Sequence, residues 1–329
     1  MRLIGHHAAA DNFRSQWRSG RMPHAWLIAG PQGIGKRRFA DAAAAFLLAD
    51  AAGPAVDGQG LDVPSYHPTL ALIAAGSHMD LRVIERLRRE HTGELAAGIG
   101  IEQVRELAPL LQNKPGLSPW RVVLIDAVDD LARPAANALL KNLEEPPANT
   151  VFLLISHQPG RLLPTIRSRT RLLRLRPLEE RETSEVLEQL LPEAELSERA
   201  TLVQLAEGSP GRAMRFAGLD IQGLESAIAR LIAGGEAAAS DRVALAKALS
   251  GKAAQSRYEA FLELVPARIV REARAARGAS LARALTLWEK ARDLAAGAVP
   301  LSLDPQGVVY ELGGLLAALQ PQGEHTGNG

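Results

Sequence analysis

The chain has 329 residues, 47% of them apolar and only 4% aromatic, so it is too long for one small core and predicts two or three domains with aliphatic, helix-rich interiors. Its 38 basic and 37 acidic residues leave a net charge of +1; no global basic field marks a nucleic-acid binder, and any DNA contact is expected to be local or shared with partners. There is no cysteine, which excludes disulfides, thiolate chemistry and any zinc site built on sulfur.

No run approaches the roughly 18 apolar residues of a membrane span. The N-terminal segment carries Asp11, Arg14 and Arg18 among its apolar residues and lacks a signal-peptide core, so the expectation is a cytoplasmic protein. Residues 1–21 predict a helix leading into the first strand; His6 and His7 are adjacent, with no further ligand types at metal-site spacing. Ala25 to Ala29 reads as a strand. Gly30-Pro31-Gln32-Gly33-Ile34-Gly35-Lys36 follows, and then a helical stripe of Phe39, Ala42, Ala43, Phe46 and Leu47. G-x-x-x-x-G-K between a strand and a helix predicts a phosphate-binding loop. Gly30, Gly33 and Gly35 let backbone N–H groups curl around phosphate oxygens, the helix N-terminus adds positive potential, and Lys36 reaches the terminal phosphates. Position 37, where a Ser or Thr hydroxyl would hold Mg²⁺, is Arg37. Arginine has no lone pair to offer a cation, and its charge beside Lys36 repels one. Weak ATP binding without hydrolysis and a loop kept only for its turn both remain open; efficient turnover does not.

Residues 49–80 are rich in Gly, Pro, Asp and Ala and predict a surface loop, then a short strand over Thr69–Ile73. Asp80 to Glu90 holds Arg82, Arg86, Arg88 and Arg89, the densest basic cluster, interleaved with Asp80, Glu85 and Glu90 and read as a solvated face. Gly100 to Leu107 starts an amphipathic helix that runs to about Leu111. Val122 to Ile125 is a continuous apolar run ending in Asp126, as in a strand buried on both faces. Ala136, Leu139, Leu140 and Leu143 recur at helical spacing, Pro146 and Pro147 stop that helix, and Val151 to Ile155 is a second strand. Strand, helix and strand in this order form a parallel crossover, which puts Asp126 at a strand's carboxyl end, where open α/β sheets hold ligands. After Pro177 three short helices are expected over Glu180–Leu190, Ser197–Ala206 and Arg212–Ala217, with Ser209 as an N-cap and Pro210 at the first helical position. From about Gly223 the chain reads as helices throughout: Leu224–Ile232, Asp241–Leu249, Arg257–Arg274, Ser280–Leu294 and Pro305–Leu319. Leu281, Leu285 and Trp288 make one apolar stripe, and Glu324 to Gly329 is expected to be a frayed tail.

Asn137-Ala-Leu-Leu-Lys-Asn-Leu-Glu-Glu-Pro-Pro147 followed by Ile166-Arg-Ser-Arg169 resembles the AAA+ subunits of bacterial sliding-clamp loaders, from about Pro23 to the C-terminal helices. The resemblance implies an α/β AAA+ P-loop domain with a parallel sheet over 1–176, a small three-helix lid over 177–219 and an all-α collar for oligomerisation over 220–322, with a tail at 323–329. In many such relatives the 49–80 insertion carries four zinc-binding cysteines; here no zinc is expected. A working ATPase of this class follows its metal-binding Asp with a Glu that orients water. Asp126 is followed by Ala127, and Asp129 and Asp130 lie too far on to substitute. With Arg37 this makes two independent losses, so the expectation is a subunit without turnover of its own. Ser156 is near the polar sensor position, and Arg212 in Gly208-Ser-Pro-Gly-Arg212 resembles the lid arginine that touches nucleotide. Thr165-Ile-Arg-Ser-Arg169-Thr170 matches the family's Ser-Arg-Cys pattern with Thr170 in place of Cys, which implies that Arg169 is an arginine finger acting in trans on a neighbour's ATP. The implied partners are tau/gamma motor subunits and a delta subunit in a pentameric ring, the sliding clamp, and primed DNA through the complex, with no membrane. An active motor ATPase of such a loader would need Ser or Thr at 37 and Glu at 127. A small-molecule kinase would leave the lid, the helical third and the Arg169 motif unexplained.

Overall fold

The computed structural model describes residues 3–89 and 93–320; Glu90 of the basic stretch and the expected tail over 323–329 lie outside the described residues. The chain divides into two compact units, Met1–Met214 and Arg215–Gly329.

The first unit is built on five strands, β1 (Ala25–Ala29), β2 (Leu81–Glu85), β3 (Arg121–Asp126), β4 (Thr150–Ser156) and β5 (Arg171–Arg174). They form one sheet in the order β2-β3-β4-β1-β5, every neighbouring pair parallel. Parallel neighbours need crossovers, so both faces are covered by helices and the central strands are apolar throughout rather than alternating. α1 (His7–Arg18) and α2 (Lys36–Ala52) cover one face. Phe13, Phe39, Phe46 and Leu47 pack there against Trp26, Ile28, Val122, Leu124, Val151 and Leu153. The alternate strand residues Leu27, Val123, Ile125, Phe152 and Leu154 point to the other face and meet Val104, Leu107, Leu139 and Leu143. These come from α4 (Ile101–Arg105), α5 (Leu107–Gln112) and α6 (Arg133–Glu144), after the intervening α3 (Pro68–Ala74). The short α7 (Pro164–Ser168) leads into β5, and α8 (Glu180–Leu190), α9 (Leu196–Ala206) and α10 (Pro210–Phe216) follow it, the unit boundary falling within α10.

Several expected elements change. Thr69–Ile73 is not a strand but lies in α3, because Pro68 sits at the helix start and the His67 ring accepts the Thr69 N–H at 3.3 Å. A short apolar run has no period that separates strand from helix, and the start signal decides. The helix expected from Gly100 to Leu111 is interrupted at Glu106. Strand β2 has no counterpart among the expected elements, and Ser156 closes β4 instead of starting the loop after it.

The second unit is α11 (Ile221–Gly234), α12 (Ala239–Leu249), α13 (Gln255–Ala275), α14 (Gly278–Ala298) and α15 (Pro305–Ala317). α15 touches each of the other four helices. Leu224, Ile228, Leu231, Phe261, Val265, Ile269, Leu312 and Leu316 are buried between them. The carboxylates of Asp220 and Asp304 cap two of the helices by accepting the N–H of Gly223 at 3.0 Å and of Gly307 at 2.7 Å. Among the described residues no helix is long and apolar enough to cross a membrane.

Candidate functional site

The parallel order brings the carboxyl ends of the strands to one edge. In register, Glu85 lies beside Asp126, Asp126 beside Ile155, and Ser156 beside Ala29, from which the Gly30 loop departs. The loop turns through left-handed backbone at Gly33 (φ 82°) and Gly35 (φ 98°) before α2 begins at Lys36. A Cβ on Gly33 would lie 2.4 Å from the Ser209 hydroxyl, so the close approach of the Ser209–Gly211 turn requires glycine there. Each carbonyl from Gly30 to Ile34 receives a donor from the chain itself. The Lys36 ammonium donates to Gly30 at 2.8 Å and Pro31 at 2.6 Å, the Ser209 hydroxyl to Gln32 at 2.9 Å, the Gly211 N–H to Gly33 at 2.9 Å, and His6 Nε2 to Ile34 at 2.8 Å. Lys36 is only 3% exposed, and burial pulls its pKa down to about 8 against the opposing pull of Asp129 and Asp126. Burial lowers the His6 pKa as well, which suits a neutral ring donating from Nε2.

Arg37 occupies the ground where a metal would be held. Its Nη1 donates to Glu85 Oε2 at 2.6 Å and to Asp126 Oδ2 at 3.2 Å, while its Nε donates to Asp41 Oδ1 at 2.9 Å. Burial works against its charge, yet Glu85, Asp41 and Asp126 together hold its pKa above the ordinary value. The carboxylate that would ligate Mg²⁺ is bonded to a guanidinium, and no hydroxyl is present at position 37, so these residues do not fit a metal ion. Among the described residues no group of three or more His, Asp or Glu side chains is arranged to hold one. Asp129, two places beyond the water-orienting position 127, is fully committed: it accepts the Ser156 hydroxyl at 2.9 Å and the N–H groups of His157 at 2.6 Å and Gln158 at 3.2 Å. Asp130 pairs with Arg86 at 3.1 Å. The Ser156 proton is therefore directed at Asp129. Arg212 pairs with Glu207 at 2.8 Å, and its own N–H is accepted by the Ser209 hydroxyl at 3.3 Å, so the turn is a helix cap as well as a clasp on the loop.

Arg169 sits at the opposite edge of the sheet. It ends α7 two residues before β5 begins, level with Pro23 and His24 at the start of β1. At about 3.3 Å per residue, the five-residue strand β1 separates the two edges by roughly 17 Å, beyond the reach of an arginine toward its own loop. The partly exposed guanidinium pairs with Glu144 Oε1 at 2.9 Å and donates to the Thr165 carbonyl at 3.1 Å and the Ser168 hydroxyl at 3.3 Å. It borders an open groove shared with His24, Glu145, Thr170 and Arg171. Two arginines of the basic stretch face carboxylates, Arg82 with Glu106 at 2.8 Å and Arg86 with Asp130, and Arg88 donates to the Gly93 carbonyl at 3.0 Å.

Five participants escaped the sequence reading: His6, Asp41, Glu85, Glu144 and the hydroxyl contact of Ser209 with the loop. Two carried a signal. Asp41 stands four residues after Arg37 in a helix, the spacing of a facing ion pair. Glu85 ends the β-branched run Val83-Ile84, as Asp126 ends its own strand.

The DNA polymerase III subunit delta′ of Pseudomonas aeruginosa is 39% identical over 212 residues, 64% of this chain and 60% of that protein. The delta′ subunit of Escherichia coli is 34% identical over 202 residues, covering 61% and 56%. The subunit tau/gamma of Haemophilus influenzae is 33% identical over 195 residues, covering 59% of this chain and 26% of its own. The chain thus matches less than two thirds of the length of the curated relatives. The family model described as DNA polymerase III, delta subunit, matches residues 5–179, more than half of the chain, and the chain belongs to that family.

Proposed function

We propose that this chain serves as a delta′-type subunit of a DNA polymerase III clamp loader, one that hydrolyses no ATP itself and supplies Arg169 in trans to the nucleotide of an adjacent tau/gamma-type motor subunit. In this reading it is a stator: with a delta subunit and the motors it completes a pentameric ring in the cytoplasm, which opens the sliding clamp and places it on primed DNA as part of the polymerase III holoenzyme. The observation that carries the reading is the separation of the two edges. The loop edge carries Arg37 against Asp126 and Ala127 in place of a water-orienting carboxylate. The far edge presents Arg169, partly exposed and roughly 17 Å from that loop by strand length. An arginine out of reach of its own loop and partly exposed is placed where a site on another molecule could meet it. Its delocalised charge and fixed donor fork suit the charge that develops on a transferring phosphoryl group, where such a residue is worth about 10³–10⁵ in rate at the site it serves.

The test is steady-state ATP hydrolysis by a reconstituted loader with clamp and primed DNA, comparing wild type with Arg169→Ala. The expected outcome is a large fall in the complex and no turnover by the isolated chain. Unchanged hydrolysis with the ring still assembled would reduce Arg169 to a surface residue, and turnover by the isolated chain would sink the argument from Arg37 and Ala127.

A further inference from the structure

We infer that Arg37 is a built-in replacement for the divalent cation of this site: a covalently attached cation that ties the start of α2 to the carboxyl ends of β2 and β3, and that makes the shape of the first unit independent of Mg²⁺. The inference goes beyond the trans role of Arg169 and does not depend on it.

Three carboxylates from three elements converge on one guanidinium, at 2.9 Å (Asp41, α2), 2.6 Å (Glu85, β2) and 3.2 Å (Asp126, β3). Each pair by itself is worth little, because Arg37 is 36% exposed and Glu85 54% exposed, and water screens them. The arrangement matters more than the pairs. Take the guanidinium away and three like charges are left facing one another, with Asp126 only 24% exposed. A site of this chemistry needs a cation to be stable. In a nucleotide-binding loop the cation arrives with the ligand; here the chain carries it. The geometry is also that of a cross-link rather than a surface accident. The fork spans 48 residues to Glu85 and 89 residues to Asp126, joining the edge strand β2 and the central strand β3 to the loop helix. Lys36, the next residue, does not share this duty, because its ammonium is held by the Gly30 and Pro31 carbonyls.

The consequence is reciprocal. With Arg37 present, a positive charge already stands among the carboxylates and repels Mg²⁺, so the folded chain is indifferent to it. With Arg37 replaced by a neutral residue, the carboxylates need a new counter-ion and a divalent cation is the best available, so Mg²⁺ stabilises the variant by mass action on the folded state. Arg37→Thr also restores the hydroxyl that a metal-binding loop carries at this position.

The experiment is thermal unfolding of the full chain in EDTA and in millimolar Mg²⁺, at constant ionic strength, for wild type, Arg37→Thr and the double variant Glu85→Gln/Asp126→Asn. The expected result is a wild-type Tm that does not move with Mg²⁺. Arg37→Thr should melt several degrees lower in EDTA and recover most of that loss in Mg²⁺. The double variant should melt below wild type with no Mg²⁺ response. Stability of Arg37→Thr equal to wild type in EDTA, or a loss that Mg²⁺ does not repair, overturns the inference. Should Arg37→Thr fail to fold, Mn²⁺ binding followed by electron paramagnetic resonance on wild type and the double variant decides. No bound Mn²⁺ is expected, and a bound ion that the double variant loses would show that the cluster takes metal despite Arg37.

Discussion

At the scale of single residues, Lys36 is a strongly perturbed group at the loop. It is charged, almost fully buried, and bonded to two carbonyls that lower the cost of burial without removing it. Its pKa falls from the ordinary 10.5 to about 8, chiefly through desolvation. The sign of the linked stability follows from proton counting. Below pH 8 both folded and unfolded chains carry the proton and the folded chain bears the burial cost. Between 8 and 10.5 the unfolded chain holds more protons, so the contribution of this group to stability rises with pH through that window. Carbon-13 shifts of the lysine Cε atoms should show one resonance titrating near 8, absent in Lys36→Met; all resonances titrating at the ordinary lysine value would refute the buried ammonium. Lys36, Arg37 and Asp126 were legible because each belongs to a local pattern of loop or strand end, whereas Arg169 stood out only through its resemblance to a clamp-loader motif. The partners that define their state were not. His6, Glu85 and Ser209 reach the loop across 28, 48 and 177 residues, and no window of sequence brings them together.

At the scale of elements, strand β2 shows why part of the fold stayed hidden. It is an edge strand, half exposed along its length, with Arg82 and Glu85 interrupting the apolar run, so it reads as a charged surface. What fixes it is a carboxylate. Asp80, 2% exposed, accepts the N–H groups of Gly116 at 2.7 Å, Leu117 at 2.7 Å and Ser118 at 2.8 Å, binding the start of β2 to the loop that enters β3. Removing that carboxylate strands three backbone donors, one of them in a buried residue, so Asp80→Ala should cost about 3 kcal/mol. Asp80→Asn should cost less, since one amide oxygen still accepts. Urea unfolding of the full chain measures both; a loss within a few tenths of a kcal/mol for Asp80→Ala would mean that water replaces the carboxylate freely and that β2 is held by its ladder alone. The central strands needed no such device to be recognised. Val122–Ile125 and Val151–Ile155 are buried on both faces, and continuous apolar runs report that burial directly.

At the scale of the whole molecule, opposite charges are nearly equal in number, and a set of arginines is paired locally. A net charge of +1 arises from 38 basic and 37 acidic groups. Arg82 and Arg86 of the densest basic stretch face Glu106 and Asp130, and in the second unit Arg268 and Arg271 share Glu225 while Arg215 pairs with Glu263. Binding to a nucleic-acid backbone draws its strength from releasing condensed counterions, one for each phosphate that a free basic group neutralises. With a net charge of only +1 the chain has little long-range attraction for phosphate. The isolated chain should therefore bind a primed duplex weakly even at low salt, and with a shallow dependence of affinity on salt. A gel shift across a salt series reads both quantities. Tight binding with a steep slope would place a basic face on this subunit and give it a direct hold on DNA. Weak, nearly salt-independent binding fits a chain whose basic and acidic groups are nearly equal in number.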